Sequence, residues 1–208
     1  MTLTKLCNWR ALALAWPAVA SAQWLDFAQL DKSAESTTLV LVRALKELAP
    51  ESAPPPLLSA SGTRWSTGEA ASLGYTQRFA TTDGPHRLVF GGGASVNRYR
   101  SRDPQTTDRG ESGLALRAQA ELSGPALAGS YYTLLQASTF RRSWFATAQY
   151  APDAQRFGVE LSRYHETGWQ ATSAVLRVSV VPRWFVRIGL QRATGETRPF
   201  FGVAYNGF

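Results

Sequence analysis

The stretch GLALRAQAELSG, from Gly113 to Gly124, sets Leu114, Leu116, Ala118, Ala120 and Leu122 on one side of a strand and Arg117, Gln119 and Glu121 on the other. Successive side chains of a strand point to opposite faces, so this spacing reads as a strand with one apolar and one polar surface. The same period returns down the chain. Phe157, Val159 and Leu161 alternate with Glu160 and Ser162; Thr172, Ala174, Leu176, Val178 and Val180 alternate with Ser173 and Arg177. Trp184, Val186, Ile188 and Leu190 alternate with Phe185, Arg187, Gly189 and Gln191. A single such segment also suits a half-buried sheet of a soluble protein. Repetition to the last residues, in segments of about 9–11 residues, suits strands that cross a membrane at a tilt.

Turn residues divide the region after residue 57 into ten strands: 58–66, 70–81, 86–100, 111–123, 129–139, 143–151, 155–165, 168–181, 184–193 and 197–207. Merging or dropping a pair gives eight. The fold class is therefore all-β, an antiparallel transmembrane β-barrel of about ten, alternatively eight, strands. An even count puts both chain ends on one side, and connections near 82–85, 124–128, 152–154 and 182–183 then lie with them. Loop 101–110 falls on the opposite side. Trp65, Tyr99, Phe140, Trp144, Tyr164, Trp169 and Phe201 fall at that loop end, and Phe79, Tyr131, Tyr150, Phe157, Trp184 and Tyr205 at the end of the termini, as two aromatic girdles would.

Residues 1–22 have the pattern of an export signal: Lys5 and Arg10, an apolar run from Ala11 to Ala20, then Ala20, Ser21 and Ala22 at the positions a signal peptidase reads. The run is too short to span a bilayer as a helix. The one cysteine, Cys7, leaves with it, so the mature chain holds no disulfide or cysteine-based metal site. Residues 23–56 carry Thr38, Leu41, Val42, Leu45 and Leu48 at helical spacing, followed by Pro50 and then Pro54, Pro55 and Pro56. This predicts a short periplasmic amphipathic helix on a stiff linker, ahead of a barrel over 57–208, and a surface for a periplasmic partner. The β-branched run Thr37 to Val42 leaves a strand as the competing reading.

Residues 57–208 resemble the small bacterial outer-membrane β-barrels, whose last strand ends in Phe and is recognised by the barrel-assembly machinery. Here the last residue is Phe208, with Phe201, Val203 and Tyr205 on one face. Tyr205 stands one residue off the usual parity. The resemblance implies the bacterial outer membrane, both termini periplasmic after signal cleavage, and a partner in that machinery.

The whole chain has 22 basic and 15 acidic residues; removal of Lys5 and Arg10 leaves 20 against 15, a net of +5. In an exported chain the polyanions within reach are lipid head groups and lipopolysaccharide, not nucleic acid. Arg98, Arg100, Arg102, Arg109, Arg141, Arg142, Arg192 and Arg198, with Arg64 and Arg163, fall at the loop end and are candidates for lipid or lipopolysaccharide phosphates. Inward positions hold Arg78, Asn97, Arg117, Gln119, Glu121, Glu160, Arg177, Arg187 and Gln191. Their charges must pair, since an isolated ion in a low-dielectric interior is costly. Replacing Arg117 or Arg187 is expected to strand Glu121 or Glu160.

Catalysis has thin support. His86 follows Gly84 and Pro85 at a turn, and His165 lies beside Glu166 near Ser162. Neither sits in a motif that supplies a base and a nucleophile. No metal or cofactor is expected. The leading reading is a non-enzymatic barrel with a packed polar lumen and a structural or anchoring role in the envelope. The others are a narrow channel or accessory barrel for polysaccharide or small-solute export, and a lipid A-modifying enzyme.

Overall fold

The structure is a computed structural model that describes residues 25–50, 52–81, 84–103, 110–152, 156–193 and 195–207. The expected export signal and the terminal Phe208 lie outside these residues. Twelve strands form one closed antiparallel barrel: β1 (Phe27–Ser33), β2 (Ser36–Ala44), β3 (Leu57–Trp65), β4 (Gly68–Ala80), β5 (Arg87–Ser101), β6 (Gly110–Pro125), β7 (Gly129–Ser138), β8 (Ser143–Pro152), β9 (Phe157–Glu166), β10 (Trp169–Val181), β11 (Trp184–Ala193) and β12 (Glu196–Asn206). Each strand pairs with its sequence neighbours, and β1 pairs with β12 from Phe27↔Asn206 to Ser33↔Phe200. The ten strands expected after residue 57 appear as β3 to β12 with ends shifted by a few residues.

The count of ten or eight is corrected to twelve, and the expected N-terminal helix is replaced by β1 and β2. Among the described residues of that segment, the one helical element is a turn of 3-10 helix, Lys46–Leu48. The apolar stripe had a second explanation. In β2 the wall-facing Leu39 and Leu41 alternate with the inward Thr38, Val40 and Val42, so both faces carry apolar groups and the period is blurred. Closure decides the outcome. β2 pairs with β3 and β1 with β12, so the N-terminal segment closes the wall and leaves no edge of unpaired backbone N–H and C=O groups, which hydrocarbon cannot satisfy. The proline segment is no free tether: Pro54 and Pro56 are buried, and Leu45 N–H donates to the Pro56 carbonyl at 2.8 Å.

Cross-strand partners can be followed once around the wall, from Gly124 of β6 through Tyr131, Tyr150, Val159, Leu176, Ile188, Phe201, Lys32, Thr37, Arg64, Glu69 and Arg100. The path returns to β6 at Gly110, fourteen residues from its start. With about 3.3 Å per residue and about 4.8 Å between strands, this stagger tilts the strands by about 40° and gives a backbone radius of about 12 Å. That is wider than an eight-stranded barrel, whose interior side chains simply fill.

The hydrophobic surface is on the outside. Leu114 is 82 % exposed, Leu116 69 % and Leu161 61 %, and all three point away from the lumen. The girdle at the end of the termini is present: Phe79, Tyr131, Tyr150, Phe157, Trp184 and Tyr205 all face outward, joined by Phe90. The loop end differs from expectation. Trp144 and Phe201 face outward, but alternation turns Trp65, Tyr99, Tyr164 and Trp169 into the mouth of the lumen. Within the barrel, Gly91 makes room for side chains of the neighbouring strands: a Cβ there would lie 2.8 Å from Gln119 Cγ.

Candidate functional site

The lumen is lined by the polar faces of the strands, and its charges gather in two groups. On β3–β7, Arg78 grips Glu121 with two parallel bonds of 2.9 Å, Nε to Oε1 and Nη2 to Oε2. Gln119 adds a donor to Glu121 Oε1 at 2.8 Å and the Tyr132 hydroxyl one to Oε2 at 3.3 Å. Arg117 does not reach this carboxylate. It crosses towards β3 and donates to Ser59 Oγ at 2.9 Å, its guanidinium lying over Gly74, where any Cβ would collide with Nη1. The expected pairing of Arg117 with Glu121 is therefore corrected. The residues share a face on one strand, but Arg78, two strands away, presents its fork in the right plane.

The second group spans β8–β11 and β1. Arg187 is 3 % exposed and holds two carboxylates at once. It donates to Glu160 through Nη1 at 2.9 Å and Nη2 at 3.2 Å, and to Asp31 through Nε at 3.0 Å and Nη2 at 3.4 Å. Gln29 supports Asp31 at 2.7 Å, and Gln149 supports Glu160 at 3.3 Å. Arg177 donates Nη1 to Gln149 Oε1 at 2.7 Å, while its Nε is buried without a hydrogen-bond partner. Gly202 leaves the space for Asp31, whose Oδ1 would clash with a Cβ at that position. Among the described residues, no hydrogen bond or ion pair joins this group to the first.

Asp31, Gln149, Tyr132 and Ser59 were not picked out from sequence. Asp31 was discoverable: Gln29, Asp31 and Ser33 alternate with Ala28, Leu30 and Lys32, the same period as elsewhere over a shorter span. Asn97 also faces the lumen and donates to Ser95, and Gln191 lies on the inward face of β11.

At the loop end, the turn between β7 and β8 bends over the mouth. Arg141 there has φ 51°, an uncommon left-handed conformation for a non-glycine residue, and a side chain only 9 % exposed. Its guanidinium stands 4.0 Å from the Tyr99 ring centroid, 3.4 Å from Glu166 and 3.7 Å from Glu111. Thr167 clasps the turn, its N–H and hydroxyl both donating to the Arg141 carbonyl at 2.9 and 3.0 Å. One arginine thus ties β5, β6 and β9 together across the shorter β7–β8 hairpin.

The candidate rim arginines separate into classes. Arg141 faces the mouth, and Arg198 is paired with Glu35 and Glu196. Arg98, Arg100 and Arg192 project outward from the wall and are exposed, as are Arg102 and Arg142 beyond it; Arg109 lies outside the described residues. The histidines lie at opposite ends of the barrel, one in the β4–β5 turn and one near the end of β9. His86 contacts the Tyr131 hydroxyl at 3.1 Å, and His165 stacks on Trp144 on the outer face while Ser162 points inward to Ser173. Among the described residues, no group of His, Cys, Asp and Glu could hold a metal ion.

No protein family and no curated protein matches the sequence. Solved structures do match the fold. A KdgM porin superposes with a TM-score of 0.56 at 10% identity, covering 86% of this chain and 97% of that one. A KdgM porin in complex with disordered oligogalacturonate gives 0.55 at 12% identity, with the same coverage. Acinetobacter baumannii Omp33 gives 0.50 at 10% identity, covering 86% and 95%. At these identities the likeness is one of fold. The chain has the porin-like fold of an outer-membrane β-barrel.

Proposed function

We propose that the protein is a non-enzymatic outer-membrane channel for small anionic solutes. One observation carries this reading: among the described residues, the lumen charges pair along the wall in two groups and leave the space between them unbridged. A packed plug would be expected to interlock across the lumen. The radius of about 12 Å set by twelve strands leaves room for such a space after side chains line the wall. Arg117 and Arg177 have neutral hydrogen-bond acceptors, Ser59 and Gln149, in place of carboxylates. Their charge therefore remains available to a passing anion. The barrel sits in the outer membrane with the girdle of Phe79, Tyr131, Tyr150, Phe157, Trp184 and Tyr205 on the periplasmic side, and the barrel-assembly machinery receives it through β12.

Planar-bilayer recording tests this. Open steps are expected, with a reversal potential in a salt gradient that favours anions and moves towards zero when Arg117 and Arg177 are both replaced by Gln. A second reading is a closed barrel that organises the envelope, which the Arg141 turn over the mouth favours. Membranes that stay silent with both the parent and an Arg141→Ala variant would select it.

A further inference from the structure

We propose that Arg64, Arg98 and Arg100, on the lipid-facing wall, form a seat for the phosphate head group of a membrane lipid. The inference is independent of whether the lumen conducts. It starts from register. Arg64 of β3 pairs with Glu69 of β4, which pairs with Arg100 of β5, and Arg98 follows two positions along the same face. At about 4.8 Å between strands, Arg64 and Arg100 stand about 10 Å apart, within reach of one head group for side chains of this length. All three arginines are exposed. Neither their side chains nor that of Glu69 makes a hydrogen bond or ion pair with any described residue. This sets them apart from Arg141 and Arg198, which are committed to carboxylates.

Height on the wall supplies the second argument. Phe90 belongs to the aromatic girdle at the end of the termini, and Arg100 is ten positions from it along β5; Glu69 is likewise ten from Phe79 along β4. At about 3.3 Å per residue and about 40° of tilt, ten positions climb about 25 Å, the height of the apolar band of an outer-membrane barrel. The arginines therefore sit at the boundary opposite the aromatic girdle, at head-group level. Arg163, only six positions from Phe157 on β9, falls inside the band and instead leans on Trp144 and Gln170. One boundary is thus aromatic and the other guanidinium-rich over β3–β5. Guanidinium binds phosphate with paired, charge-assisted bonds. Net +2 from three arginines and one glutamate suits a phosphorylated lipid better than a zwitterionic one.

The test uses the folded full-length mature chain in nonionic detergent, titrated with diphosphoryl lipid A in the same detergent and read by native mass spectrometry. Replacing Arg64, Arg98 and Arg100 together with Gln should weaken binding about tenfold or more, whereas Arg163→Gln should leave it unchanged. Glu69→Gln removes the one like charge facing the phosphate and should tighten binding. Millimolar inorganic phosphate should not displace the lipid. Folded triple variant that binds as tightly as the parent, a loss of affinity on Glu69→Gln, or displacement by free phosphate would each overturn the proposal.

Discussion

Replacing Arg187 with Gln is the most demanding test of the lumen geometry. The side chain makes four hydrogen bonds to two carboxylates and is 3 % exposed. Glutamine can bond one carboxylate but neutralises neither. Asp31 and Glu160 would then face each other without their shared cation. Removing one member of a buried ion pair costs about 3–5 kcal/mol, because the group left behind keeps its desolvation penalty. The lower end applies here, since lumen water can partly solvate the freed carboxylates. With a urea dependence of about 2 kcal/mol/M, the unfolding midpoint should fall by about 1.5 M. Urea unfolding from lipid vesicles, followed by tryptophan fluorescence and by mobility of unheated samples on a denaturing gel, reads this directly. A triple variant, Asp31→Asn, Glu160→Gln and Arg187→Met, removes all three charges and should recover most of the loss, to within about 1–2 kcal/mol of the parent. If Arg187→Gln unfolds within about 0.3 M of the parent, the shift is too small for a desolvated ion triad, and the argument from burial fails.

Three further outcomes follow from named contacts. Arg78→Gln should destabilise the barrel by about 3 kcal/mol and Arg117→Gln by about 1, because only the former strands Glu121; equal midpoints in the same urea assay would count against the assigned pairing. Arg141→Ala removes the tie between Tyr99, Glu111 and Glu166, so single-channel conductance should rise while heat-modifiable mobility is kept; unchanged conductance would mean the turn does not limit the mouth. Leu116→Arg places a charge near the middle of the apolar band and should cost about 2–4 kcal/mol of folding into vesicles. A neutral effect would show that this face of β6 does not meet lipid.

The alternation in β6 and β9–β12 was legible because each strand there presents lipid on one side and a polar lumen on the other. Leu114 through Leu122 and Phe157 through Leu161 state the period without help from neighbours. β1 and β2 hid the same rule. Phe27–Ser33 is short, and β2 sets Val40 and Val42 inward opposite the outward Leu39 and Leu41, so a local window sees a stripe and not an alternation. What makes those residues strands is remote: the unpaired edges of β3 and β12, about 30 and 170 residues further along, must be closed in a solvent without hydrogen-bonding groups.

By itself the sequence determined which faces of β6 and β9–β12 are apolar, that Arg187 and Glu160 share the interior, and that arginine gathers at one end. Those follow from side-chain chemistry and a period of two. Only the tertiary structure decided the number of strands, the choice of Arg78 over Arg117 as the partner of Glu121, and the inward turn of Trp65, Tyr99, Tyr164 and Trp169. It also decided which arginines project outward from the wall and which are spent on carboxylates within the protein. The choice of partner depends on the fourteen-residue stagger of the closed wall, which sets who stands beside whom two strands away, and no local pattern in the chain encodes that offset.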